Sequence, residues 1–132
     1  MSPAQIVLLF LERINQRNPD ALAKLMSPEH LFIDSLGQQV RGREKMRAGW
    51  RGYYALCPDY WVSHDEFFES GSRVAVFGTA GGTIAVKGEL LPENQWQIPA
   101  AWLAVVEEGL ISEWRVYADN KPVFEILAKA KG

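Results

Sequence analysis

Residues 96–118 read WQIPAAWLAVVEEGLISEWRVYA, and this stretch decides the fold class. From Trp96 to Val106 every even-numbered residue is apolar, and in a β-strand alternate residues lie on the same face. Glu107-Glu108-Gly109 separates this strand from a second one at 110–118, and a short turn with glycine between two such segments predicts a β-hairpin.

Two more β segments precede this hairpin. They span residues 60–69 and 73–86, and Ser70-Gly71-Ser72 joins them as a tight turn. A longer loop at 87–95 then leads to the hairpin. Four successive strands with these connections predict an antiparallel sheet.

The N-terminal part of the chain has helical spacing instead. Ser2-Pro3 is a typical helix start, because serine caps free N–H groups and proline fits the first turn. Apolar residues then recur at intervals of three and four up to about Gln16. Similar patterns predict a helix at 21–26, a strand at 30–36, a helix at 42–56 and a C-terminal helix at 121–131. Three N-terminal helices beside an antiparallel sheet predict a single α+β domain over residues 1–132, with an apolar pocket between helix and sheet.

The composition excludes several classes of function. The formal charge is −2 and the 14 basic residues are dispersed, which argues against nucleic acid because phosphate binding needs clustered Lys and Arg. The single cysteine, Cys57, cannot form an intramolecular disulfide, and no spacing of His, Asp and Glu suggests a metal site. The apolar run at residues 6–11 is too short for a membrane span or a signal peptide. We therefore expect a cytoplasmic protein without metal, cofactor, nucleic-acid partner or membrane partner.

Four stretches of the sequence resemble the nuclear-transport-factor-2-like superfamily, particularly its SnoaL-like polyketide cyclases and ketosteroid isomerases. They span nearly the whole chain: residues 15–26, 30–37, 40–44 and 111–119. The resemblance implies a cone-shaped fold, with helices packed on a strongly curved sheet. It further implies that the even-numbered residues from Trp96 to Val106 face the inside of the cone, and we expect Trp114 and Val116 to share this inner face. It also implies a homodimer that forms through the outer face of the sheet, to which Glu113, Arg115 and Tyr117 belong.

The resemblance to ketosteroid isomerases points to Asp34. Those enzymes place a general-base aspartate at the end of the first strand, and Asp34 stands at the matching position. Their oxyanion hole consists of a tyrosine and a protonated aspartate. The matching residues here are Phe10 and either Ala100 or Ala101. Because loss of even one such donor lowers the rate by about 10²–10³-fold, the standard steroid-isomerase mechanism is excluded.

Limonene-type epoxide hydrolases share the fold that the resemblance implies, but their catalytic residues are an Asp–Arg–Asp set on the sheet. The matching positions are Gly78, Ala80 and Val116, so this mechanism is excluded as well. A SnoaL-type cyclase needs only one acid–base residue in an apolar pocket. Two hypotheses remain: an isomerase or cyclase that acts on a small hydrophobic carbonyl compound through Asp34, or a non-catalytic module that binds a small molecule or a second subunit.

Three side chains are candidates for the acid–base chemistry. Asp34 is the first, although it also fits the role of a turn-stabilising acid near Gly37. His64 would serve as a proton shuttle if its side chain points inward. Asp119, where the last strand ends, is a second acid that fits a helix cap equally well. The other histidine, His30, begins a strand, and we expect it to be exposed.

A set of mainly aromatic residues is predicted to bind the ligand. Five tryptophans are many for a small core, although core packing explains any one of them as well. The hydroxyls of Tyr53, Tyr54 and Tyr60 are further candidates, as donors to a ligand carbonyl. The predicted ligand-binding residues are Phe10, Trp50, Tyr54, Trp61, Ala100, Trp102, Trp114 and Val116.

Overall fold

The computed structural model describes the backbone of residues 1–131 and the side chains of residues 1–130. Gly132, the last residue of the predicted domain, lies outside the described residues. Four helices pack on one curved, unclosed sheet of six strands. The helices are α1 (Pro3–Gln16), α2 (Pro19–Lys24), α3 (Arg43–Leu56) and α4 (Lys121–Lys131), and a short 3₁₀ helix covers Pro92–Asn94. The strands are β1 (Met26–Ile33), β2 (Gln39–Arg41), β3 (Trp61–Ser70), β4 (Arg73–Thr83), β5 (Gln95–Glu107) and β6 (Leu110–Ala118).

The strand order of the sheet is β2-β1-β6-β5-β4-β3. The last four strands form the predicted succession of antiparallel hairpins. One pairing departs from the predicted antiparallel sheet, because β1 runs parallel to β6. Because β1 and β6 lie far apart in the sequence, no hairpin joins them and fixes their relative direction.

The N-terminal strand begins earlier than predicted, and its partner β2 was not predicted. Met26 pairs with Ile111, and the Ile111 N–H donates to the Leu25 carbonyl at 2.8 Å, so residues assigned to a second helix enter the sheet. Asn18 caps α2 through the Ala21 N–H, and the helix ends at Lys24. The predicted C-terminal helix at 121–131 is confirmed.

The core lies between α1, α3 and the inner face of the sheet. In α1, Ser2 and Gln5 form a reciprocal capping box, and the helix buries Phe10 and Ile14 completely. Along β5 the burial alternates strictly from Trp96 to Val106, with the even-numbered residues inside. The predicted inner face is therefore confirmed. Within the described residues, no helix combines the length and the apolar character that crossing a bilayer requires.

His30 is the clearest error of the sequence interpretation. It is 0% exposed, and its Nδ1 lies 2.7 Å from the carbonyl oxygen of Ile111, so Nδ1 carries the proton and donates it. The Nε2 atom is buried and has no hydrogen-bond partner among the described residues. Burial lowers the pKa of this imidazole below its ordinary value, although the bond to Ile111 partly opposes the shift.

The buried His30 predicts a loss of stability in mild acid. Its folded-state pKa lies below the unfolded value of about 6.5, so the unfolded chain binds the proton first. The free energy of unfolding should therefore fall as the pH drops below about 6.5, by at most about 1.4 kcal/mol per pH unit from this group. Urea unfolding between pH 5 and pH 8, followed by tryptophan fluorescence, measures this slope. His30→Gln should flatten it, and equal slopes in both proteins would contradict the assignment.

Candidate functional site

A cavity of about 360 Å³ lies between α3 and the inner face of the sheet. This volume is within the usual range for small-molecule sites. Its walls are aromatic and aliphatic, with polar groups from the turn after β1 and from the end of β6. The lining residues are Phe32, Asp34, Ser35, Val40, Met46, Gly49, Trp50, Tyr53, Tyr60, Ala80, Trp96, Ile98, Ala100, Trp102, Trp114, Val116, Ala118 and Asn120.

Two groups of stacked rings give the cavity its shape. On one side Tyr60 contacts the rings of Trp50, Tyr53 and Trp96, with ring centroids 4.9–6.3 Å apart. On the sheet, Trp102 and Trp114 stack with their centroids 6.4 Å apart. Rings held by several neighbours keep one orientation, so the cavity is formed before any ligand enters.

Asp34 both stabilises a turn and lines the cavity. Its Oδ1 accepts hydrogen bonds from the backbone N–H groups of Leu36 and Gln38, each at 2.9 Å. Its Oδ2 has no hydrogen-bond partner among the described residues. The two backbone bonds therefore fix the carboxylate in the cavity wall and leave one oxygen for another partner.

The charge of the cavity comes from this one group. Among the described lining residues, Asp34 is the only acid, and none of them is Lys, Arg or His. Beside it, the Asn120 Nδ2 donates to Ser35 Oγ at 2.7 Å and links the end of β6 to the turn after β1. The site thus offers one carboxylate and a few neutral polar groups within apolar walls.

Six of the predicted site residues meet in this cavity. The acid comes from the turn after β1, one aromatic from α3 and four residues from the paired strands β5 and β6. They are Asp34, Trp50, Ala100, Trp102, Trp114 and Val116.

Three predicted ligand-binding residues lie elsewhere. Phe10 packs behind the cavity wall, with its ring centroid 4.7 Å from that of Trp114. The Tyr54 hydroxyl donates to the Ile14 carbonyl at 2.8 Å and joins α3 to α1. Trp61 pairs with Gly81, so it lies on the outer face of the sheet, opposite the face that carries Ala80.

Two predicted catalytic residues also lie outside the cavity. His64 is exposed on the edge strand β3, where a bulge interrupts the register between His64 and Glu66. Asp119 accepts a hydrogen bond from the Lys121 N–H at 3.0 Å and lies in a separate depression beside α4. Its contacts match the helix-start role that the sequence also suggested.

Tyr53 and Tyr60 line the cavity, whereas Tyr54 does not. The sequence alone did not distinguish these three tyrosines. Tyr53 and Tyr54 both lie about one helical turn after Trp50 on α3, so spacing alone does not show which of them faces the cavity. Tyr60 follows a loop that Asp59 fixes: its carboxylate accepts bonds from the N–H and Oγ1 of Thr83, at 2.7 and 2.8 Å. Burial raises the pKa of both phenols well above their ordinary value of 10.

No group of three His, Cys, Asp or Glu side chains within the described part of the chain is placed to hold a metal ion. The buried Cys57 thiol has its pKa raised to about 11, mainly by burial and also by the Asp59 carboxylate. A thiol in this state is a poor nucleophile, because the reactive form is the thiolate.

Comparison with known proteins identifies relatives of this architecture. The family model for the SnoaL-like domain matches residues 7–114. Among proteins with curated functions, none matches the sequence significantly.

Three solved structures illustrate the structural likeness. A protein from Catenulispora acidiphila DSM 44928 with a ketosteroid-isomerase-like fold, solved in complex with trimethylamine, is 23% identical, with a TM-score of 0.79 over 91% of this chain and 89% of that chain. A candidate SnoaL-like polyketide cyclase from Shewanella denitrificans OS-217 is 13% identical, with a TM-score of 0.82 over 96% and 97%. A limonene-epoxide-hydrolase-like epoxide hydrolase of M. tuberculosis is 17% identical, with a TM-score of 0.78 over 98% and 91%. At these identities the likeness establishes the shared fold.

Proposed function

The chain belongs to the SnoaL-like domain family, and we propose that its cavity binds a small apolar carbonyl compound on which Asp34 acts as general base and acid. The observation that carries the proposal is the single carboxylate in the wall of an otherwise aromatic and aliphatic cavity. Apolar walls bind a hydrocarbon skeleton by removing it from water. One fixed carboxylate within them suits the transfer of one proton.

The proposed reaction begins at a carbon next to the carbonyl group. Asp34 Oδ2 takes a proton from this carbon, and the electron pair of the broken C–H bond moves to the carbonyl oxygen to form an enolate. If the ketone has a β,γ double bond, the enolate is a dienolate, and return of the proton to the γ-carbon moves the double bond into conjugation and gives an isomer. Attack of the enolate carbon on a second carbonyl of the same molecule forms a carbon–carbon bond and closes a ring, after which the proton goes to the new alkoxide.

Hydrogen exchange tests this proposal without knowledge of the natural substrate. A panel of cyclic ketones is incubated with the protein in D₂O, and proton NMR follows the loss of the α-proton signals. We expect at least one ketone to exchange faster with protein than in buffer at the same pD. If every ketone that binds the cavity exchanges only at the buffer rate, the acid–base proposal is wrong.

A non-catalytic binding protein is the second candidate function. The observation that favours it is the turn role of Asp34, since two backbone hydrogen bonds already account for the presence of an acid at this position. In this case the ketones bind without exchange, and Asp34→Asn changes neither their affinity nor their exchange.

A homodimer through the outer face of the sheet is part of the proposal. This face carries three large exposed side chains, Phe68, Phe77 and Tyr117. It also carries charges of both signs, from Glu66, Glu113, Arg73 and Arg115. In a two-fold interface the same patch meets itself, so acids of one copy can lie opposite bases of the other. We therefore propose that a second copy of this chain binds to this outer face.

Charge in the middle of this face should separate the subunits. Phe77→Asp would place an unpaired carboxylate in the interface. We expect the molecular mass in solution to fall from that of a dimer to that of a monomer. Sedimentation equilibrium measures it, and Leu90→Asp, at an exposed leucine outside the sheet, is the control. A wild-type protein that is monomeric at tens of micromolar, or a Phe77→Asp variant that stays dimeric, contradicts the proposed interface.

A further inference from the structure

Three tyrosines lie near the cavity, and their hydroxyl groups have different environments. The Tyr54 hydroxyl already has a partner within the protein, because it donates a hydrogen bond to the Ile14 carbonyl. The hydroxyls of Tyr53 and Tyr60 form no hydrogen bond with any described residue, and both residues line the cavity. Two hydroxyl donors therefore belong to the wall of one cavity, and neither has a partner among the described residues.

The rings that carry these two hydroxyls are held firmly. Tyr53 and Tyr60 contact each other at a ring-centroid distance of 4.9 Å with an interplanar angle of 90°. Trp50 contacts both rings, and Trp96 packs on Tyr60, which is only 8% exposed. Donors on fixed rings lose little freedom when a ligand binds, so they are already organised for an acceptor.

Their chemistry limits what the acceptor can be. Burial keeps both phenols protonated at every physiological pH, so each can donate a hydrogen bond. A ligand that fills the cavity excludes water from these hydroxyls, and a ligand oxygen that accepts from them avoids the cost of leaving them unpaired. A purely hydrocarbon ligand would leave both donors unpaired.

We infer that the hydroxyls of Tyr53 and Tyr60 hold the carbonyl oxygen of the ligand and stabilise the negative charge that develops on it. This inference rests on the proposed function, because the charge arises when Asp34 removes the neighbouring proton. The electron pair of the C–H bond then ends on the oxygen that the two phenols contact. The ligand class follows as neutral, largely apolar compounds with a ketone or similar carbonyl group.

Binding of a matched pair of compounds tests the donor role apart from catalysis. The probes are 1-tetralone and tetralin, which share one bicyclic skeleton and differ by the carbonyl group. Quenching of the cavity tryptophans gives their affinities, and we expect tetralone to bind at least about threefold more tightly. Tyr53→Phe and Tyr60→Phe should each weaken tetralone binding about three- to tenfold and leave tetralin binding unchanged or slightly improved. Tyr54→Phe is the matched control and should leave both affinities unchanged.

Infrared spectroscopy gives a second measurement. The C=O stretching frequency of the ligand would not change if Tyr53 and Tyr60 only supported the fold. The C=O stretch of tetralone bound to the wild-type protein should lie at lower frequency than in a hydrocarbon solvent, and removal of either hydroxyl should shift it back. A hydrocarbon-like stretch in the wild-type complex would overturn the inference, even if a variant fails to fold. So would equal loss of tetralone affinity in all three Tyr→Phe variants.

The two proposals fail in different ways. If Asp34 is not a base, α-proton exchange is absent while the lowered C=O stretch persists. If the tyrosines are not the donors, exchange continues while the stretch is unchanged by Tyr53→Phe and Tyr60→Phe.

Discussion

Asp34→Asn is expected to slow α-proton exchange of a bound ketone by about 10²–10⁴-fold, the usual contribution of a positioned general base. The amide cannot take a proton, but its carbonyl oxygen can still accept the bonds from Leu36 and Gln38 that hold the turn. The fold and the binding of tetralone should therefore survive. NMR exchange rates at saturating ketone, with circular dichroism as a check on folding, measure the effect.

The matched control for this change is Asp119→Asn. It makes the same chemical substitution at an acid near the cavity but outside its wall. The Asn side chain keeps an oxygen that can accept from Lys121. We expect wild-type exchange from this variant. If both variants lose exchange equally, or if Asp34→Asn retains the full rate, Asp34 is not the base.

Gly78→Ala is expected to cause the largest loss of stability, about 3 kcal/mol or more. A Cβ at this position would overlap the carbonyl oxygen of Ser63 and lie 2.8 Å from the Cα of His64. Both are backbone atoms of the paired strand β3 beside its bulge, so no side chain can move aside. For a domain of this size the melting temperature should fall by about 10 °C or more. Thermal unfolding followed by circular dichroism measures the change.

Gly52→Ala separates this steric effect from a general effect of adding a methyl group. Gly52 lies in the middle of α3, and nothing stands within 4 Å of the position that its Cβ would occupy. Alanine favours a helix by about 0.5–1 kcal/mol over glycine, so this variant should be slightly more stable than the wild type. A Gly78→Ala protein that melts like Gly52→Ala would show that β3 and β4 are less closely packed than the structure indicates.

Local pattern was sufficient to predict most of the sheet. Apolar residues at every even position mark β5, and short glycine turns mark the hairpins, so these elements depend on neighbours in the sequence. The pairing of β1 with β6 depends instead on residues about eighty positions apart. The three-residue strand β2 carries no periodic pattern at all. His30 shows the same limit: its burial follows from a contact with Ile111, and nothing near it in sequence indicates this contact.

The site was predictable where a side chain's direction follows from its strand or helix position. Ala100, Trp102 and Val116 line the cavity because their strands alternate regularly. Tyr53 and Tyr54 are neighbours on one helix, and the one turned towards the cavity depends on how α3 rests on α1. Rotation of a packed helix is a property of the whole core, which sequence spacing does not fix.

A crystal structure of the protein with 1-tetralone would show directly whether Asp34 and the two tyrosines meet the same ligand. We expect the ketone inside the cavity, with its carbonyl oxygen within hydrogen-bond distance of the Tyr53 or Tyr60 hydroxyl and its α-carbon facing Asp34 Oδ2. A ketone bound outside the cavity would refute both proposed roles, and so would one inside it with its carbonyl oxygen turned away from both tyrosines and its α-carbon away from Asp34.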